Sequence, residues 1–277
     1  MAGWTRDKGS TGGMVGQKKR LDIILVEQGL TRSRELARRL IMAGAVRVEG
    51  HLVSQPSTRI APDARVQIAT QPLYVGRGGV KLAAALVHFR VDVTGLVSAD
   101  IGASTGGFTD CLLQHGARKV YAIDVGYGQL AWSLRQDARV VAMERVNARY
   151  LAATDIPECV DVVTIDVSFI SLLLIFPGAL QILKPTGHIL ALVKPQFEAG
   201  RQQVGRGGIV RDRTVHRDVL QRLTSWACGH GLGVRNAMPS PLQGAAGNVE
   251  FFLQLVRAGP QEPDVEGLIA RCLAAVP

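Results

Sequence analysis

Four charged residues carry most of the chemistry open to this sequence: Lys81, Asp166, Lys194 and Glu250. Asp166 ends the apolar run Val162-Val163-Thr164-Ile165, and Lys194 ends Leu190-Ala191-Leu192-Val193. Glu250 sits at the start of the last apolar run, and Lys81 opens the helical segment before the first. In an open α/β sheet, ligands meet the carboxyl ends of the parallel strands. If the final strand is antiparallel, its start lies on that same rim, and all four residues converge there. Two amines and two carboxylates at one rim can move a proton and balance a developing charge. Taken singly, each has a plainer reading. Lys81 and Glu250 fit solvated terminus residues, Asp166 a helix cap and Lys194 a strand-end charge.

A second group of residues lies where the first strand must end. Leu96 to Ile101 is mostly apolar, with Asp100 near its end. It breaks into Gly102-Ala103-Ser104-Thr105-Gly106-Gly107 before an amphipathic segment beginning at Phe108. A strand, a glycine loop and a helix in this order bring backbone close to a ligand at the helix N-terminus. The next strand ends in Asp124, 22 residues after Gly102, where an acid accepts hydrogen bonds from ribose hydroxyls. NAD and S-adenosylmethionine (SAM) both use such an acid. A dinucleotide loop needs G-x-G-x-x-G, and Ser104 stands where its second glycine belongs. The pattern Asp-x-Gly-x-x-x-Gly-Gly resembles instead the SAM loop of class I methyltransferases. That resemblance implies cofactor contacts from Asp100, Gly102, Ser104, Gly106, Gly107, Phe108, Asp124 and Asp166.

These residues need a sheet to hold them. Strand patterns fall at Val97–Ile101, Lys119–Asp124, Arg139–Met143, Val160–Asp166, His188–Lys194, Gly233–Ala237 and Val249–Val256. Helical patterns lie between them, most clearly at Gly107–His115, Gly128–Leu134, Leu172–Leu183 and Thr214–Gly229. The expected fold class is α/β, a doubly wound, Rossmann-like seven-stranded sheet. Two late strands after a long helix fit the methyltransferase sheet, whose last strand is antiparallel.

With 47% hydrophobic and 20% charged residues, the chain can bury a core. It has no uncharged apolar run long enough for a transmembrane helix, and its first twenty residues lack the apolar core of a signal peptide. Cys111, Cys159, Cys228 and Cys272 are widely spaced, without a CxxC pair. They fit neither a zinc site nor a disulfide framework, so reduced thiols in the cytoplasm and no metal are expected. The positive charge is concentrated early. Residues 1–68 carry 12 Lys and Arg against 6 Asp and Glu, net +6, while the remaining 209 residues carry 20 against 17, net +3. Such a module suits a polyanion, although a merely solvated basic face has the same composition.

Within that module, Leu21 to Gln28 reads as a helix stopped by Gly29. Thr31 or Ser33 caps a second helix running to about Ala43, with Leu36, Ala37, Leu40 and Ile41 on one face. Arg32, Arg38 and Arg39 lie on the other side and Arg34 at the boundary. Val46–Val48 and Leu52–Val53 follow as strands around a Glu49-Gly50-His51 turn, and Arg65–Ile68 closes the unit. The runs Gly29-Leu30-Thr31-Arg32-Ser33-Arg34, Ala37-Arg38-Arg39-Leu40-Ile41 and Gly44-Ala45-Val46-Arg47-Val48-Glu49-Gly50 resemble the α-L RNA-binding motif. That motif recurs in a small-subunit ribosomal protein, pseudouridine synthases and tyrosyl-tRNA synthetase. The likeness implies RNA contacts, largely through phosphates, from Arg32, Arg34, Arg38 and Arg47, with Lys18, Lys19 and Arg20 as an auxiliary arm.

The quartet Lys81, Asp166, Lys194 and Glu250 is similar, in order and in placement, to the catalytic tetrad of FtsJ-like RNA ribose 2′-O-methyltransferases. A ribose hydroxyl is a weak nucleophile and must lose its proton as a methyl group arrives in line. The resemblance implies that Lys194, its basicity reduced by burial beside Lys81, acts as base or stabilises the alkoxide. Asp166 and Glu250 then hold the lysines. Asp166-Val167-Ser168-Phe169 differs from the Asn/Asp-Pro-Pro-Tyr/Phe of amino-methylating enzymes, and Cys159 lies at the wrong end of its strand to attack a pyrimidine.

The α-L motif followed by Tyr74-Val75-Gly76-Arg77-Gly78-Gly79-Val80-Lys81-Leu82, the glycine loop through Asp110, Asp166 to Ser171 and Val193 to Glu198 together resemble the TlyA family. The likeness runs from about Arg20 to Val256. It implies methylation of the ribose 2′-OH of cytidine in bacterial ribosomal RNA, within ribosomal subunits. The expected organisation is a flexible basic tail over 1–19, an RNA-binding domain over 20–68 and a linker over 69–76. A methyltransferase domain over 77–257 and a C-terminal tail over 258–277 follow, with Val265 to Val276 able to form a short helix. The basic loop Gln203 to Arg211 suits closure over RNA or a plain surface loop. Two other classes stay open here. The family has carried a haemolysin label, which implies a membrane-lytic protein, and a non-catalytic RNA-binding assembly factor retains the same fold.

Overall fold

The computed structural model describes residues 18–42, 44–53, 55–68, 73–244, 246–258 and 261–276, and for Arg39 and Met42 only the backbone. The expected tail up to residue 17, residues 69–72 of the expected linker and the Arg39 side chain therefore lie outside the described residues. The chain divides into two compact units, Met1–Gln71 and Pro72–Pro277.

In the first unit, β1 (Lys19–Arg20) leads into α1 (Leu21–Glu27) and α2 (Arg34–Met42). β2 (Val46–Val48), β3 (His51–Leu52), β4 (Arg59–Ile60) and β5 (Val66–Ile68) follow. β2 is the centre of a three-stranded antiparallel sheet between β3 and β5, and β1 pairs with β4. α2 starts one residue after Ser33, whose hydroxyl accepts the Leu36 N–H at 3.2 Å and caps the helix. Leu21, Ile24, Leu25, Ala37, Ile41, Val46 and Val48 form its small core.

The second unit holds α3 (Arg77–Phe89), β6 (Val97–Ile101), α4 (Gly107–Gln114), β7 (Lys119–Asp124), α5 (Trp132–Arg135) and β8 (Val140–Glu144). β9 (Val160–Ile165), α6 (Phe176–Ile182), β10 (Leu183–Val193) and α7 (Pro195–Glu198) come next. α8 (Arg213–Gly229), β11 (Gly233–Pro239), β12 (Phe251–Val256) and α9 (Val265–Ala274) complete it. The sheet order is β11-β12-β10-β9-β6-β7-β8. β12 runs antiparallel to both β10 and β11, and the other pairings are parallel. Apolar side chains cover both faces of the sheet, as a doubly wound fold requires. The strand order reverses at β6, between β7 and β9, and a crevice opens there beyond the strand ends.

Five expectations change. The helix expected over Gly128–Leu134 shrinks to α5, because Gly128 is left-handed (φ 70°) and its N–H is taken by the Glu144 carboxylate at 2.8 Å. The single helix expected over Leu172–Leu183 splits into a 3-10 turn at Leu172–Leu174 and α6. Pro177 stands in the first turn of α6 and has no N–H to continue the turn before it. β10 begins at Leu183, before the expected His188, with a register shift between them. Finally, the segment expected as a C-terminal tail contains α9, whose Leu268, Ile269, Cys272 and Leu273 are buried in the core of the second unit. The expected linker also ends early, because the Tyr74 ring packs so closely on Gly79 of α3 that a Cβ there would lie 2.3 Å from it.

Candidate active site and nucleic-acid interface

The loop after β6 is built from its glycines. Gly102 has φ 85°, and a Cβ there would stand 2.4 Å from the Asp166 carbonyl oxygen. The chain after β6 can therefore pass against the chain after β9 only at a glycine. Gly102 N–H and Ala103 N–H both donate to the Ile123 carbonyl, at 2.8 and 3.2 Å, and Asp166 N–H donates to the Ile101 carbonyl at 2.9 Å. Three strand ends are thus tied together around the loop. Gly102, Ser104, Gly107, Phe108 and Asp166 line a cavity of about 250 Å3.

Other expected cofactor residues stand behind this cavity. Gly106 caps α4 with φ 98°, and its missing side chain makes room for Leu130 and Leu134. Asp124 lies beside the loop, where its two oxygens accept the Ser104 N–H at 2.8 Å and the Gly126 N–H at 2.7 Å. Asp100 does not line the cavity. It is wholly buried and accepts hydrogen bonds from Thr109 at 2.7 Å and Thr164 at 3.2 Å. Burial, opposed by the Thr109 hydroxyl and reinforced by Asp166, pushes its carboxyl up to about 7. Its role is to join β6, α4 and β9 from beneath.

The four charged residues form two pairs. Lys81 Nζ lies 2.5 Å from Glu250 Oε2, and both side chains are buried. Lys194 Nζ lies 2.6 Å from Asp166 Oδ1 and donates to Ser168 Oγ at 3.0 Å. All four line a second cavity of about 490 Å3. The two cavities share Arg77, Gly78, Asp166, Ser168 and Lys194, so the Lys194–Asp166 pair stands at their junction.

Several residues here were given no individual role by the sequence. Phe169 has left-handed backbone (φ 64°), is 90% exposed, and its ring sits 4.8 Å from that of Phe197. A large apolar ring held in solvent on strained backbone marks a binding surface rather than a packing element. Glu198 is buried and accepts the Ser171 hydroxyl and the Leu172 N–H, each at 2.7 Å. The Glu198 carboxylate thereby joins the chain after β9, which carries Asp166, to the chain after β10, which carries Lys194. Arg222 of α8 stands 3.7 Å from it. Asn248 anchors the basic loop from beneath: it accepts the Val210 N–H at 2.9 Å and donates to the Gly208 carbonyl at 2.8 Å. Arg206 and Arg211 of that loop are exposed.

In the first unit the expected RNA contacts divide. Arg32, Arg38 and Arg47 are exposed, with Arg47 also donating to the Gly50 carbonyl at 2.9 Å. Lys18 is exposed as well. Arg20 and Arg34 instead converge on Asp22, at 2.9 and 3.0 Å. Burial opposes the charge on Asp22, but the two guanidinium groups overcome it and hold its carboxyl below the usual range. Lys19 pairs with Glu27 at 2.9 Å. These three residues are therefore ion-paired within the unit, while the Lys19 and Arg34 side chains stay about half exposed, at 48% and 57%. Among the described residues, no helix is long and apolar enough to cross a membrane and no group of three His, Cys, Asp or Glu could hold a metal ion.

Known proteins share this organisation. Residues 74–257 match the FtsJ-like methyltransferase family and residues 19–66 the S4 domain. YqxC of Bacillus subtilis (strain 168), named as an rRNA methyltransferase, is 51% identical over 244 residues, 87% of this chain and 87% of that protein. The 16S/23S rRNA (cytidine-2′-O)-methyltransferase TlyA of Mycobacterium tuberculosis (strain ATCC 25618 / H37Rv) is 46% identical over 246 residues, 87% and 91% of the two chains. A solved structure from Streptococcus thermophilus, whose description carries the word hemolysin, matches with a TM-score of 0.70 and 43% identity, covering 94% of this chain and 97% of that one. With its glycine loop, paired lysines and N-terminal S4 domain, the chain belongs to the FtsJ-like methyltransferase family and to the TlyA group within it.

Proposed function

We propose that this methyltransferase uses SAM to methylate the ribose 2′-OH of a cytidine in bacterial ribosomal RNA, within ribosomal subunits. One observation carries the reading: the glycine-loop cavity and the cavity holding both ion pairs meet at Lys194 and Asp166. A methyl donor in the first and a nucleotide in the second would have their reacting atoms at that junction. The glycine loop fits SAM, because Gly102 leaves open a cradle that a Cβ would fill against Asp166, and the Asp124 carboxylate lies beside that loop, bound to the Ser104 N–H. Gly102, Ser104, Gly107, Phe108 and Asp124 would hold the cofactor, which supplies an electrophilic methyl on a sulfonium centre.

The remaining work falls to the chain's own residues. Lys194 meets the 2′-oxygen and offsets the charge that develops as its proton leaves, and in its neutral form it takes that proton. Asp166 and Ser168 fix the direction of the amine. Lys81 and Glu250 line the same cavity, and the Glu250 carboxylate compensates the second ammonium there. The exposed Phe169 ring, tilted 48° against that of Phe197, offers an apolar face for a base turned out of its stack. The S4 unit supplies phosphate contacts through Arg32, Arg38 and Arg47, which place the enzyme on folded RNA.

The test is methyl transfer from labelled SAM to ribosomal subunits from cells lacking this protein, with the modified ribose mapped in the product. Lys194→Ala should bind SAM with unchanged affinity and transfer no methyl. Retained transfer by that variant, or methylation on a base rather than a ribose, would sink the reading. The reading of the same family as membrane-lytic is checked by liposome leakage, where the purified protein should release no contents.

A further inference from the structure

The basic loop between α7 and α8 takes no part in the reading above, yet Gly207 and Gly208 at its tip line the larger cavity. The tip is a tight hairpin. Gly205 N–H donates to the Ile209 carbonyl at 3.0 Å, and Gly208 N–H to the Gly205 carbonyl at 3.1 Å. Gly207 and Gly208 both have left-handed backbone (φ 78° and 75°), and nothing stands within 4 Å of a Cβ placed on either. The turn, not packing, requires these two glycines, and they leave bare peptide on the cavity wall. The foot of the hairpin is fixed. Val210 gives its N–H to Asn248 Oδ1 at 2.9 Å, and its carbonyl accepts from His216 Nε2 at 3.1 Å. Asn248 and His216 are both buried.

This fixed turn carries positive charge that the protein leaves unanswered. Arg206 and Arg211 flank the two glycines, both are exposed, and neither forms an ion pair among the described residues. Arg211 Nη1 would lie 3.9 Å from a Cβ on Gly205, which places its guanidinium against the foot of the turn. The next residue, Asp212, is engaged elsewhere, since its Oδ1 accepts both the N–H and the hydroxyl of Thr214 at 2.8 Å. The other cations lining the cavity already have partners: Lys81 faces Glu250, Lys194 faces Asp166, and Arg77 donates to the Gln243 carbonyl. Two unpaired guanidinium groups beside bare peptide suit an anion, and the anion that an RNA strand brings to this cavity is a phosphodiester. We propose that the hairpin, through Arg206 and Arg211, holds the phosphodiester adjoining the target ribose and so sets which nucleotide of the docked RNA meets Lys194. The inference rests on the ribose-methylation reading above and adds the residues that fix the strand at the site.

The double variant Arg206→Ala with Arg211→Ala separates this from a merely solvated basic face. Its melting temperature should not move, because neither side chain pairs with anything inside the protein. SAM affinity, read by calorimetry, should be unchanged, because neither residue lines the smaller cavity. Binding of the full-length protein to ribosomal subunits is measured without SAM across a salt series. The slope of log K against log salt should flatten by about 1–2 units. The kcat/KM for methyl transfer should fall about tenfold or more, since a strand held loosely presents its ribose poorly. Light ethylation of subunit phosphates then locates the contact. Ethylation of a phosphate next to the target ribose should block transfer by the wild type, yet cost the double variant less than about twofold, its contact being already gone. An unchanged salt slope, or a wild type insensitive to ethylation on both sides of the target ribose, overturns the inference alone. A wild type that methylates a base, or no nucleotide, overturns the reading on which it rests, while the binding slopes, which need no methyl transfer, still decide whether the two arginines hold RNA.

Discussion

Lys81 Nζ and Glu250 Oε2 lie 2.5 Å apart, joining the second turn of α3 to the residue that precedes β12. The pair is buried, and removing one partner leaves the other charge without compensation. Glu250→Ala should cost about 3–5 kcal/mol of stability. The double variant Lys81→Met with Glu250→Leu should recover much of that loss, yet remain inactive. Urea denaturation of the single and double variants checks this, and additive losses would show that the two groups do not act as a pair.

Gly106 and Gly128 both adopt left-handed backbone, but only Gly106 is crowded. A Cβ at Gly106 would lie 2.2 Å from a Leu134 methyl, whereas nothing stands within 4 Å of one at Gly128. Gly128→Ala should cost about 1–2 kcal/mol from the backbone alone. Gly106→Ala should cost on the order of 3 kcal/mol or more, because overpacking adds to that strain. Equal shifts in the denaturation midpoint would refute the steric argument.

The buried Asp100 makes stability depend on pH in a direction that can be worked out. Its carboxyl sits at about 7 in the folded protein against an ordinary 3.8, so the unfolded chain gives up this proton first as pH rises. Its contribution is full below about pH 4 and is lost as pH climbs through about 7, with little further change beyond. Asp100→Asn removes that slope. The variant should therefore gain on the wild type between about pH 4 and pH 8. A stability difference that stays constant over this range would contradict the prediction.

Glu198 acts on the reaction by holding two loops in register. Glu198→Ala deprives the Ser171 hydroxyl and the Leu172 N–H of their acceptor and frees the chain after β9 from the chain after β10. The kcat should fall about tenfold or more, since catalysis is sensitive to small misplacements. SAM affinity should change by less than about twofold. Glu198→Gln, which can still accept the Leu172 N–H, should restore part of the rate. Loss of SAM binding in parallel with kcat would indicate general unfolding instead.

The arginines of the S4 unit should separate into two classes. Replacing Arg32, Arg38 and Arg47 by alanine should weaken binding to ribosomal subunits and flatten the dependence of log K on log salt by about 2–3 units. Thermal stability should hardly move. Arg34→Ala should instead lower the stability of the unit, because it removes one of two partners of the buried Asp22. The Asp22 pairing is fully present above the ordinary carboxylate range and is lost as pH falls through its lowered value. A salt titration beside a melting curve distinguishes the two classes.

Much of the machinery could be read from the chain alone. Strand periodicity gave the sheet, because alternation and apolar runs follow directly from which faces are covered. Gly102 and Ser104 carried the loop, since only certain residue types permit its backbone and its ligand. Asp166, Lys194 and Glu250 were legible because strand ends in a doubly wound sheet share one rim, and Lys81 because its helix leads into the first strand. The three-dimensional fold decided the rest. Which lysine pairs with which acid depends on distances between segments up to 169 residues apart, and no local pattern encodes them. Asp100 looks like a ligand in sequence, and only burial turns it into a strut behind the loop. Arg20, Arg34 and Arg38 are equally basic in sequence, yet only proximity in the fold pairs the first two with the buried Asp22. Phe169 and Glu198 stand in motifs the sequence displays, but their roles did not show there, because an exposed ring and a buried carboxylate are properties of surroundings rather than of residue type.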